Sequence, residues 1–382
     1  ERYWRNKDSK TDGSSGATIF TQILIGEINM NKILNISLVF ILAFLCTLDN
    51  NALAGRKDKA GTSAAPQLLI PVGARDLALG GSSLATSYGV ESIFWNPAGL
   101  SRTDFSSQAM FSHMNYIADI GVEYFAVGSS FGELGTLALS LKSLSIGDID
   151  VTTEDSPDGT GATINPTFVI AGVTFARNLA DNISVGITGN LISEQMGRVS
   201  STGIAFNAGI QYHGFANVPG LSLGIAVKNI GPQMQYGGPG LLRTGQIDNV
   251  LRGPSLYRID AASYELPSTI EMGLGYTSKF SDQNSITFSS VFQNNNFSAD
   301  EYKFGAEYNF ENTLWLRGGY DLSESNEDKS ILAGDQTSYI YGPTFGFGVK
   351  QDLGGLNVSF DYAYRSTTFF DSNNIFSLRL GF

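Results

Sequence analysis

The residue types that could do chemistry are few in this chain: His113, His213, the single cysteine Cys46, and two acidic runs. A zinc site needs several nitrogen, sulfur or carboxylate ligands brought together, and an acyl-transfer triad needs a nucleophile, a histidine and an acid. Each histidine stands alone in its own stretch, at the end of an alternating segment. Asp148, Asp150, Glu154, Asp155 and Asp158 form one acidic run; Asp321, Glu324, Glu327, Asp328 and Asp335 form the other. Neither has the ordered ligand spacing of a calcium loop, so both read as solvating loops. Gly237-Gly238-Pro239-Gly240 does not sit between a strand and a helix, which excludes a phosphate loop. The expectation is a binding protein, not an enzyme, with no catalytic residue, metal or cofactor.

The elements that would position binding residues are read best from the last eight residues. Phe376, Leu378, Leu380 and Phe382 alternate with Ser377, Arg379 and Gly381 and run to the final carboxylate. A strand of period two puts the first set on one face. A transmembrane β-barrel ends this way because its last strand must pair with its first and face lipid. These four residues then read as the barrel-assembly signal. The same alternation recurs at Leu137, Leu139 and Leu141, at Ile183, Val185, Ile187 and Leu191, at Leu221, Leu223, Ile225 and Val227, and at Leu356, Val358, Phe360, Tyr362 and Tyr364. Lys142, Lys228, Lys303, Glu307, Lys350, Asp361, Arg365 and Arg379 all fall on the opposite face. A wet lumen tolerates such charges, whereas a lipid face or a sandwich interior does not.

The composition agrees. Charged residues are 16%, aromatics 12%, and glycines number 44; ordinary soluble domains carry roughly 25% charged residues. The net charge of -12 argues against a nucleic-acid partner. Fourteen alternating segments lie between residues 106 and 382, giving an all-β class: an antiparallel transmembrane barrel of about fourteen strands. Connections after even strands are short, as at 132–134, 178–181 and 352–354. The longest, 147–166, 232–264 and 322–338, follow odd strands. Short turns inside and long loops outside are the expectation for an outer-membrane barrel entered from the inner side.

Met30, Lys32 and the apolar run 33–48, followed by Asn51-Ala52-Leu53-Ala54, read as a signal peptide over 30–54. Residues 1–29 read as a non-native upstream extension, and 55–67 as a linker. Cleavage after Ala54 would leave no cysteine. Residues 68–104 precede the barrel, 105–382, and carry large anchors beside a turn, the pattern of a hatch packed into the lumen.

Two motifs lie in that hatch. One is the Gly-Ala-Arg-x-x-Ala-x-Gly-Gly run at 73–81; the other is Phe94, Trp95, Asn96, Pro97, Ala98, Gly99 and Leu100. Together they resemble the PorV/PorQ family, a branch of the superfamily of long-chain fatty-acid transporters. The resemblance covers roughly residues 68–382. It implies a fourteen-stranded barrel with an N-terminal hatch in the outer membrane of a Gram-negative-type bacterium. It also implies a component of type IX protein secretion, with translocon subunits and exported proteins carrying C-terminal signal domains as partners. Asn96, Pro97 and Ala98 match the hatch motif, whose role is structural. No cargo-binding residue can be carried over. From the residues themselves, the loop 232–264, with Tyr236, Leu241, Leu242, Leu251 and Tyr257, is the candidate partner contact.

Two other functions compete. A channel for hydrophobic small molecules such as fatty acids should show an apolar pocket at the hatch and a lateral gap in the wall. A secretion partner should expose apolar loop surface outside the barrel. An adhesive or structural barrel is the third.

Overall fold

Period-two alternation gives every strand an apolar face and a polar face. In the computed structural model fourteen such strands close into one antiparallel barrel. The structure describes residues 59–103, 105–246, 253–323 and 339–382. The expected signal peptide and upstream segment lie outside the described residues, as do Leu251 and most of the second acidic run.

The strands are β1 (Ser107–Asn115), β2 (Gly121–Ser130), β3 (Thr136–Ser145), β4 (Thr167–Ala180), β5 (Ile183–Met196), β6 (Val199–His213) and β7 (Leu221–Ile230). Then come β8 (Thr269–Lys279), β9 (Ser285–Asn295), β10 (Glu301–Phe310), β11 (Leu314–Ser323), β12 (Tyr341–Leu353), β13 (Leu356–Thr367) and β14 (Asn373–Gly381). Each pairs with the next, and β14 returns to β1, Gln108 facing Gly381 and Asn115 facing Asn374. Phe376, Leu378 and Phe382 face outward and are exposed, with Leu380 half-buried beside them. Leu139, Ile187, Leu191 and Leu316 also stand exposed on the outer wall. Lys142, Lys228, Lys303, Glu307, Asp361 and Arg365 are buried on the lumen side.

Two details depart from the sequence expectation. The eighth strand was expected from residue 265 and begins at Thr269. Pro267 has no N–H to give a ladder; its carbonyl instead accepts from the Asn229 side chain at 3.0 Å. The loops also hold two-stranded ribbons that alternation did not reveal: Ile149–Asp150 with Thr163–Ile164, Met234–Gln235 with Ser263–Tyr264, and Leu242–Gly245 with Ser255–Arg258.

The ends of the barrel differ. Tight turns such as 181–182 and 354–355 sit at one end; the loops 146–166 and 231–268 sit at the other. β1 starts at the short-turn end, as expected. The chain before it comes from the opposite side. Lys59 pairs with Glu265 at 3.5 Å and lies over the Phe297 ring, and the Ala64 N–H donates to the Glu265 carbonyl. Glu265 lies in the long connection 231–268, and Phe297 in the connection 296–300 at the same end of the barrel. Arg102, by contrast, donates to the Asp181 carbonyl in a short turn. Residues 59–102 therefore run through the lumen from the long-loop end to the short-turn end.

Candidate functional site

The hatch contains two short helices, α1 (Ala74–Ala78) and α2 (Ser92–Trp95), joined by turns. Pro97 restricts Asn96 to an extended backbone, φ -152° and ψ 106°. That geometry turns the Asn96 amide toward the wall. Its Nδ2 donates to the Leu84 carbonyl at 2.9 Å and to the Ile210 carbonyl of β6 at 3.1 Å. Its Oδ1 accepts from the Ala98 N–H at 3.2 Å. The wall is glycine where the motif touches it. A Cβ on Gly209 would lie 2.0 Å from Asn96 Oδ1, and one on Gly186 would lie 2.3 Å from the Pro97 carbonyl carbon. Trp95 is buried and its Nε1 donates to the Val72 carbonyl at 3.0 Å; Phe94 is half-buried with its ring edge-on to Trp95. Ala98 and Gly99 are buried in the same turn. Asn96 and Pro97 therefore meet the wall directly, with Phe94, Trp95, Ala98 and Gly99 on either side of them.

The lower hatch is tied to the wall by ion pairs that sequence reasoning did not single out. Arg75 donates to both oxygens of Glu307, at 3.2 and 3.3 Å. Glu307 also takes the Arg317 Nε at 2.6 Å; Arg317 reaches Asp361 at 2.6 Å, and Asp361 takes Arg379 at 2.8 Å. Arg379 returns to the hatch at Glu91, 3.6 Å away. The Ala74 N–H donates to Ser377 Oγ, and Thr344 Oγ1 donates to the Ala78 carbonyl. Arginine forks holding two carboxylates fix geometry as well as charge.

Above the hatch, toward the long loops, lies a cavity of about 370 Å³. Its floor is Phe94 and Trp95, its hatch side is Leu68 to Pro71, and its walls come from the long-loop ends of the strands. Lys142 Nζ lies 4.8 Å from the Phe94 ring centre and Lys228 Nζ 5.2 Å. Lys228 pairs with Glu271 at 2.6 Å and Lys303 with Glu301 at 2.9 Å. Lys142 donates to the Ile70 carbonyl at 2.8 Å, and among the described residues no carboxylate pairs with it.

The candidate loop is divided. Tyr236 turns inward: its hydroxyl donates to Glu194 at 2.5 Å, while the other oxygen of Glu194 accepts from Gln67 of the hatch at 2.7 Å. Burial and the Glu194 carboxylate push the Tyr236 hydroxyl well above the usual tyrosine range. Leu241 and Leu242 are half-buried at the base of the hairpin. Tyr257 is exposed beside Leu256 and Ile259, which are 68% and 51% exposed. The histidines stay apart: His113 meets Glu123 and Asn115 on the outer wall, and His213 meets Ser222.

Among the described residues, backbone pairing lapses between β11 and β12. The last backbone pair between β11 and β12 is Gly319 with Thr344, although β11 continues to Ser323. Continuing that register would set Pro343 opposite Tyr320, where Pro343 has no N–H to offer. A side-chain bond from Tyr339 to Asp321, at 2.5 Å, crosses the seam instead.

Residues 53–295 match the profile of a family described as "Type IX secretion system protein PorV". No curated protein sequence matches the chain. Among solved structures, the chain is similar to a TodX deltaS2S3 mutant monoaromatic hydrocarbon channel, with TM-score 0.52 and 12% identity over 82% of this chain and 98% of that one. It is also similar to the Pseudomonas putida toluene transporter TodX, with TM-score 0.49 and 12% identity over 79% and 96%. At such identity the likeness concerns the fold alone.

Proposed function

This chain belongs to the PorV family of type IX secretion system proteins. From that premise we propose that it is an outer-membrane docking component of protein secretion. It binds translocon subunits or exported proteins with C-terminal signal domains at its long-loop end. The short turns face the periplasm, the long loops face outward, and the apolar wall faces the lipid bilayer.

The observation that carries the reading is the contrast at the long-loop end. The lumen is plugged by the hatch beneath the cavity, while the ribbon Leu242–Gly245 with Ser255–Arg258 carries Leu256 and Tyr257 exposed, with exposed Ile259 just after it. A two-stranded ribbon is marginally stable alone, and exposed apolar loop surface marks a protein contact. Leu241 and Leu242 brace its base. The test is affinity purification of the tagged protein from detergent-solubilised outer membranes, followed by mass spectrometry. Recovery of a very large translocon barrel, or of exported proteins sharing a C-terminal signal domain, supports the reading. That recovery should be lost when 242–258 is replaced by a short glycine–serine link. A clean monomer carrying only lipid-like small molecules sinks it.

The second reading is a channel for hydrophobic small molecules. The seam between β11 and β12 beside the cavity favours it, because a wall without backbone pairing can part sideways. Solvent extraction of the purified barrel, followed by mass spectrometry for hydrocarbons or fatty acids, separates the two.

A further inference from the structure

We infer that the inner mouth of the barrel holds a phosphate group, in a small basic pocket between the last four strands and the hatch. The inference uses none of the groups around the outer cavity and stands apart from the secretion reading.

The pocket has a volume of about 80 Å³. Its walls come from the short-turn ends of β11 to β14: Trp315 and Arg317, then Lys350, then Asn357 and Ser359, then Arg379. Tyr88 of the hatch and Phe105, just before β1, complete it. The Tyr88 ring centre lies 4.4 Å from the Arg75 guanidinium and 5.8 Å from that of Arg379. The strands carry glycine where these groups press closest. A Cβ on Gly381 would lie 2.8 Å from the Phe105 ring, and one on Gly348 would lie 2.2 Å from Asp361 Oδ1 and 2.7 Å from Arg317 Nη1.

The lining is one-sided in charge. Among the described residues that form it, the acid is Asp361, and both its oxygens are taken, one by Arg317 at 2.6 Å and the other by Arg379 at 2.8 Å. Lys350 is half-buried with its ammonium 5.3 Å from the Phe105 ring centre, and among the described residues no carboxylate pairs with it. The side chains of Trp315, Asn357 and Ser359 make no hydrogen bond to another described residue. Lysine, arginine and the tryptophan N–H can only donate. Four neighbouring strands thus offer donors to one small space, and what that space lacks is an acceptor.

A carboxylate holds its two oxygens in one plane. A tetrahedral phosphate points oxygens at every wall, and arginine and lysine are the side chains that hold it best. The volume, roughly the share of three waters, admits a phosphate group and excludes a nucleotide. Free phosphate and the headgroup of a lipid in the adjoining leaflet share this chemistry. The turn between β12 and β13 is Gly354-Gly355, with nothing within 4 Å of either missing Cβ, which leaves a headgroup room to round it.

The test is equilibrium dialysis of the full chain, delipidated in a non-ionic detergent, against radiolabelled inorganic phosphate. Phosphate should be retained, and acetate should need at least about tenfold more to displace it than unlabelled phosphate does. Lys350→Met should weaken retention at least about tenfold, the scale of one charge-assisted contact. Lys350→Arg should keep it, and Lys142→Met, at the outer cavity, should leave it unchanged. Lys350 holds no acid, so its loss should spare the fold, which heat-modifiable gel mobility checks; the comparison of phosphate with acetate needs no variant. Dihexanoyl phosphatidic acid displacing the label at least about tenfold better than phosphate assigns the site to a lipid headgroup, and displacement no better assigns it to the free ion. No retained phosphate, displacement by acetate as readily as by phosphate, or a loss with Lys142→Met in place of Lys350→Met overturns the inference.

Discussion

In the inner half of the lumen, Arg75, Arg317 and Arg379 meet Glu307, Asp361 and Glu91 in one continuous set of contacts from hatch to wall. In the outer half, Lys142, Lys228 and Lys303 surround a cavity, and one of them has no carboxylate. Both halves bury charge, but the inner set is built on arginines and the outer one mainly on lysines, with Arg365 held by Asn373 beside them. The planar guanidinium bridges two acids at once and locks the hatch; the ammonium is a point charge on a flexible stem that holds one acid at a time. The number of charges in a lumen therefore says less about its role than whether each charge is already satisfied.

The comparison breaks first on stability. Arg317→Met should cost about 3–5 kcal/mol, because it strips both Glu307 and Asp361 of a buried partner. Lys142→Met should cost less than about 1 kcal/mol, since it leaves no carboxylate unpaired. Urea unfolding in detergent, followed by heat-modifiable gel mobility, reads both; equal losses would erase the distinction between the halves. Next comes Asn96→Ala, which takes one bond from each of the Leu84 and Ile210 carbonyls, leaving Gln211 on Leu84, and leaves the Ala98 N–H without its side-chain acceptor. It should cost about 2–3 kcal/mol and raise ion conductance in planar bilayers as the hatch loosens. An unchanged conductance would place the hold on the hatch in the arginine set and the remaining wall ties such as Gln211 to Leu84 and Ser87. A smaller effect is due at the rim, where Tyr236→Phe removes one bond to Glu194. It should cost about 1 kcal/mol and speed protease cleavage within 232–264.

The last prediction is a pH dependence of that same bond. The Tyr236 hydroxyl is held above its ordinary range, so its contribution is complete below pH ~10 and fades as pH rises past that value. Protease cleavage of the loop should accelerate there in the wild type and not in Tyr236→Phe. Identical pH profiles would remove Tyr236 from the latch.

Much of this was legible in the residues. Alternation located the fourteen strands, and the polar face of each strand named the lumen charges, because a barrel wall has one dry face and one wet face. Asn96-Pro97 announced the hatch turn through the geometry proline imposes on its neighbour. What was hidden depends on register and path. Arg75 lay inside a quoted motif, yet its partner is 232 residues away on β10, a pairing set by strand stagger. Tyr236 was grouped with outward-facing loop residues, whereas the ribbon Met234–Gln235 with Ser263–Tyr264 brings its hydroxyl to Glu194. Pro343 could have marked the seam, since proline within a strand is confined to edges and bulges.

The path of residues 59–102 makes the hatch a bead on a string drawn through a ring. β14 closes against β1 around a segment whose two ends emerge at opposite mouths. Tension on the amino-terminal end, applied from the long-loop mouth, would work against side-chain ties and a few backbone bonds such as Ala64 to Glu265. The wall ladder would bear it only after those ties had given way and the pull reached β1. Tension on the other end would reach β1 first and be resisted by two neighbouring strands. The plug is thus braced unequally, held by side-chain ties at its amino-terminal end and by β1 and its two neighbours at the other.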